Sequence, residues 1–153
     1  MPSLGSLQPD VIFVTEQIVA VNAEYHIAIA QRLARCVAED IGLNRVAAYH
    51  VATAMTELAS NILRHAGCGE ARVREIRCGT LRGIEIQAID QGPGIVDLTL
   101  ALREGFTTAG GLGGGLPGVK RLMDELWLGS TANAGTQVVA RKWMSVRRDL
   151  CAA

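Results

Sequence analysis

Aromatic side chains make up only 4% of this 153-residue chain, and its fifteen basic residues are cancelled by fifteen acidic ones. A nucleic-acid binder needs a basic footprint and stacking platforms. Neither is present, so no nucleic-acid partner is expected. The four cysteines (Cys36, Cys68, Cys78 and Cys151) show no C-x-x-C spacing, and the first ten residues lack the charged start and apolar core of a leader peptide. Although 49% of residues are hydrophobic, no uninterrupted apolar run reaches the roughly 18 residues that would suggest a membrane helix. These absences predict a protein of the reducing cytoplasm with no membrane segment. The length suits one ordinary core, so we expect a single domain over residues 11–145, preceded by a flexible stretch (1–10) and followed by a short tail (146–153).

What is present is a succession of clear periodic segments. Residues 11–21 cluster β-branched side chains and read as a strand. Apolar residues at helical spacing (Ile29, Leu33, Cys36, Val37 and Ile41) predict a helix over 25–41, stopped by Gly42. The same spacing at Val46, Val51, Met55, Leu58, Ile62 and Ala66 predicts a second helix over 43–66, closed by Gly67. Two β-rich runs, 71–78 and 82–89, read as neighbouring antiparallel strands. A short helix over 96–103, another over 117–126 with Pro117 in its first turn, and strands at 127–131 and 136–144 complete the chain. Helices come early and strands mostly late, which predicts an α+β, two-layer sandwich with helices on one face of a mixed, mostly antiparallel sheet.

Three local motifs carry chemistry. Glu57 and Asn61 lie one helical turn apart on the margin of the second helix's apolar stripe, so a carboxylate and a carboxamide project together. Those oxygens suit a hard cation such as magnesium, with Glu57 available as a base. His65 extends the series by another four, and we read it as a favourable charge at a helix C-terminus. Asp90-Gln91-Gly92-Pro93-Gly94 places an acid at a strand end, followed by glycines. Gly110 to Gly115 forms a glycine-rich loop leading into a helix, whose backbone N–H groups suit phosphates, with Lys120 and Arg121 adding charge. A G-x-G-x-x-G match over 113–118 has a polar loop, not a strand, before it, which excludes the dinucleotide reading. No Gly-Lys-Ser/Thr occurs, so a Walker loop is absent.

In this order the motifs resemble the GHKL, or Bergerat, superfamily of gyrase, the Hsp90 chaperones, histidine kinases and MutL. Glu57 to Asn61 matches its N box, Asp90 to Gly94 (with Gly92) its first glycine box, and Gly111, Gly113, Gly115 and Leu116 its second. The resemblance implies an ATP-binding fold over residues 11–144, with Asn61 on Mg2+, Asp90 accepting from the adenine amino group, and Gly135-Thr136 supporting adenine recognition. The run from Gly115 to Asp124 is similar to the small serine kinases of bacterial stressosome and partner-switching systems. That likeness implies an ATP-dependent serine/threonine protein kinase with Glu57 as catalytic base and a STAS-domain antagonist as substrate. It further implies a second regulatory partner, such as a phosphatase or a cyclase, and allows a homodimer. Two other readings share the fold. One is an anti-sigma factor that sequesters a sigma factor and phosphorylates its antagonist, and the other is a nucleotide-binding module without transfer activity. The 115–124 run favours the kinase over the first, and intact Glu57 argues against the second.

Overall fold

The computed structural model describes residues 10–92, 115–131 and 135–145. Strand β1 (Val11–Val21) leads into helices α1 (Glu24–Asp40) and α2 (Arg45–Ala66), then strands β2 (Gly69–Cys78) and β3 (Leu81–Asp90). After the segment 93–114, α3 (Gly115–Leu122) precedes β4 (Glu125–Thr131) and β5 (Gly135–Trp143). The expected flexible N-terminus, the helix over 96–103, the tail from 146, and Gly94, Gly111 and Gly113 lie outside the described residues.

The five strands run in the order β1-β2-β3-β5-β4, and every described pairing is antiparallel, where a mixed sheet was expected. β2–β3 and β4–β5 are hairpins, whose short connections make them antiparallel without a crossover. The three described helices share one face, with α1 over β1 and β2, α2 over β2 and β3, and α3 beside α2 toward β4. Alternate residues of β3 (Ile84, Ile86 and Ala88) and of β5 (Val138 and Ala140) point into the core beneath them.

Helix α2 is the central element. Asn44 caps its start by accepting the Ala47 N–H at 2.8 Å, and Gly67 ends it at φ +78°. Met55, Leu58 and Ile62 are fully buried along its inner side, each contributing roughly 1.5–3 kcal/mol by removal from water. The expected stripe was partly misplaced. Ile29 and Val46 are 48% and 64% exposed, and Cys36 is exposed, while α1 buries Ala30, Ala34, Val37 and Ala38. The 3.6-residue period held, and Leu33, Val37, Ile41, Val51, Met55, Leu58 and Ile62 lie in or against the core, while Ile29, Cys36 and Val46 turn outward. A one-residue shift rotates a helix by about 100°, and alanines let two helices and a sheet approach closely where larger side chains would hold them apart. The helix expected over 117–126 runs instead from Gly115 to Leu122, and Glu125 and Leu126 belong to β4, paired with Arg141 and Ala140. Leu126 buries its side chain from a strand as well as it would from a helix, so periodicity alone did not discriminate.

Candidate functional site

One end of the sandwich gathers the C-terminus of α2, the end of β3 and the starts of β2 and β5. Asp90, the last residue of the central strand β3, is paired with Gly69 on β2 and Thr136 on β5. Its side chain follows Ile84, Ile86 and Ala88 onto the helix side of the sheet, and Thr136 sits across from it on the same side. Asp90 Oδ1 accepts the N–H of Gly92 at 2.9 Å, which fixes the carboxylate and leaves Oδ2 for another donor.

The backbone around Asp90 is too crowded for side chains. A Cβ at Gly92 would lie 2.7 Å from the Ala66 Cβ of α2, and one at Gly135 would lie 2.0 Å from the Asp90 carbonyl oxygen, at φ +98°. Gly92 therefore serves protein packing, bringing the acid-glycine turn against the helix that carries Glu57 and Asn61. Gly69 plays the same part on β2, where a Cβ would meet Ile62 at 2.8 Å. Sequence reasoning did not single out Gly69. The signal was there, as a second glycine two residues after the one that closes α2.

Glu57, Asn61 and His65 form one stripe on α2. Glu57 and Asn61 are half-buried, and Glu57 has no hydrogen bond or ion pair among the described residues. His65 lies close enough to Asp90 to feel its charge. Its pKa is lowered by burial first and by the neighbouring Arg64 charge second, with Asp90 only partly opposing them. This lowering works against the favourable end charge expected at His65. Arg64, also in the last turn, supplies a cation at the helix terminus.

The stripe leads from Glu57 through Asn61 to Asp90, and α3 flanks α2 along its other side. Leu116, expected at the ligand, is buried in the core together with Pro117 and Val119, and so anchors α3. Gly115 begins the helix, with open space where a Cβ would stand, and Lys120 is exposed on it. Among the described residues no group of three or more His, Cys, Asp or Glu side chains could hold a metal on its own. The oxygen pair of Glu57 and Asn61 nevertheless fits a hard divalent cation that keeps waters and shares phosphate ligands.

A family model described as the histidine kinase-like ATPase domain matches residues 19–142. The chain is also 43% identical over 129 residues to the serine/threonine-protein kinase RsbT of Bacillus subtilis (strain 168), an overlap that covers 84% of this chain and 97% of that protein. With the family model covering most of the chain and the relative 43% identical over 84% of it, the chain belongs to the histidine kinase-like ATPase family, alongside the serine/threonine-protein kinase RsbT.

Proposed function

We propose that this serine/threonine protein kinase transfers the γ-phosphoryl group of ATP to a hydroxyl on a STAS-domain antagonist in a cytoplasmic partner-switching pathway. The reading extends to a catalytic domain over residues 11–145, to release of the kinase after transfer so that it acts on a second regulatory partner, and to a homodimer. Asp90 carries it. A carboxylate oriented by Gly92, with one oxygen left over, at the end of a glycine-lined strand, is an acceptor for the amino group of adenine.

Phosphoryl transfer asks mainly for positioning and charge neutralisation. Asn61 would hold Mg2+, with Glu57 nearby, and the ion would neutralise phosphate charge when bound. Glu57, without a competing partner, accepts the proton of the incoming hydroxyl. Gly94, Gly111, Gly113 and Gly115 offer backbone N–H groups to the phosphates, Lys120 adds a positive charge, and Thr136 borders the adenine beside Asp90.

Base selectivity tests the reading. Guanine turns an acceptor oxygen where adenine has its amino group, so facing Asp90 it loses a charged hydrogen bond worth about 1.5–3 kcal/mol and gains a repulsion of similar size. ATP should bind ~100-fold or more tightly than GTP, and Asp90→Asn should weaken ATP and narrow the gap. Equal binding of both nucleotides by the wild-type chain would remove the anchor of the proposal. Transfer of labelled phosphate from ATP to a purified STAS protein tests the substrate class separately.

A further inference from the structure

At the end of the molecule opposite Asp90, three successive residues of β5 grip the turn after α3. The Arg141 carbonyl accepts the Asp124 N–H at 2.9 Å, Lys142 Nζ donates to the Leu122 carbonyl at 2.6 Å, and the Trp143 N–H donates to Asp124 Oδ2 at 2.8 Å. Only Lys142 reaches the helix itself. It takes the last carbonyl of α3, one of the groups that a helix cannot satisfy internally, and puts a cation at the negative end of the helix dipole. The same ammonium stands 3.4 Å from His50 Nδ1 on α2. His50 lies about two turns before Glu57 on that helix.

An eight-residue helix has too few hydrogen bonds to hold its own position. Packing of Leu116, Pro117 and Val119 holds α3 laterally, whereas sliding along its axis is resisted where its end is tied. We infer that Lys142 is a positioning residue for the nucleotide site. It fixes α3, whose first residue closes the glycine-rich run, against α2, which carries Glu57 and Asn61. It does so from a distance, because six residues of strand separate Lys142 from Thr136, about 20 Å along β5. Direct contact with a nucleotide beside Asp90 is out of reach. The tie faces a cleft of ≈ 410 Å³ lined by Asn44, His50, Asp124 and Trp143 among others, so Lys142 can be altered without opening the core.

The inference rests on the nucleotide reading, and the test separates the two. Mg-ATP binding by calorimetry, amide exchange across α3 and thermal melting are measured on the full chain for wild type, Lys142→Met and Lys142→Arg. In Lys142→Met, ATP should bind about tenfold more weakly, the scale of a lost cation at a helix end. Exchange at the C-terminal amides of α3 should quicken, with melting shifted by only a few degrees. Lys142→Arg, which keeps the cation and its donors, should restore affinity to near wild type. If Lys142→Met folds poorly, Lys142→Gln removes the charge and keeps a donor, with the same expectation. Wild-type affinity and unchanged α3 exchange in the neutral variants would overturn the tie alone. So would an affinity loss that merely tracks the fraction of unfolded protein. Absence of Mg-ATP binding by the wild-type chain would instead overturn the nucleotide reading, and this inference with it.

Discussion

On the face of the sheet away from the three described helices, Glu85 is 1% exposed and both of its oxygens are engaged. Oε2 accepts from Arg141 at 2.8 Å, while Oε1 accepts from Gln87 and, at 3.5 Å, from Arg74. Arg74 in turn binds Glu16 and lies over the Phe13 ring, and Arg141 lies over Trp127. The result is a lateral ladder of alternating charge across the strands. Glu57, on the other side of the sheet, is half-buried and has no such partner among the described residues. Burial and pairing remove one carboxylate from chemistry, while the other keeps its lone pairs for an incoming group. Two glutamates of one chain are thus set apart by their neighbours, one locked in an ion-pair ladder and the other without a partner among the described residues.

The sharpest way to break this contrast is to remove each carboxylate and compare what is lost. Glu85→Ala removes the buried Glu85–Arg141 ion pair and should cost about 3–5 kcal/mol of stability, read by denaturant unfolding, with ATP affinity per folded molecule unchanged. Because a buried ion pair is often no better than a well-packed apolar pair, the double variant Glu85→Leu with Arg141→Met should recover most of the loss. A small stability change in Glu85→Ala would mean that the ladder is not closed to water.

Glu57→Gln should do the reverse. Phosphoryl transfer should fall by roughly 100-fold or more, the usual scale for a general base, while stability stays within about 0.5 kcal/mol, as for other substitutions outside the core. Transfer at the wild-type rate would return Glu57 to an ordinary helix face. Asn61→Ala separates base from metal ligand. It should lose Mg-dependent ATP binding already in the ground state, whereas Glu57→Gln should keep much of the affinity.

The smallest effect belongs to His65. Its folded-state pKa lies below the ordinary value of 6.5, so below that pH the unfolded chain binds more protons than the folded one. Stability is fully present above about pH 6.5 and is lost as the pH falls through the folded pKa. His65→Gln should flatten this part of the stability curve, and an unchanged slope would show that the imidazole is not the group responsible.

Much of this arrangement could be read along the chain. The period of α2, its stop at Gly67, the strand ending in Asp90 and the spacing of Glu57 and Asn61 are all local, and the structure has them where pattern and turn chemistry put them. The failures share a cause. Ile29 and Val46 are as apolar as core residues, yet which side of a helix faces inward depends on what it packs against, and here the close partners accept alanine. The end of α3 was missed because the ladder with Arg141 and Ala140, far along the chain, draws Glu125 and Leu126 into a strand. The pairing of Glu85 with Arg141, 56 residues apart, leaves no local trace.

The sequence by itself determined the periodicities, the capping glycines, the order of the acidic and glycine-rich motifs and the family they resemble, because each depends on residues within a few positions of one another. Tertiary structure alone decided which glutamate is locked and which is open, why Gly69, Gly92 and Gly135 must lack side chains, and that Lys142 reaches both α2 and α3. These depend on distances between segments brought together only when the sheet closes against its helices, and a linear chain does not contain them.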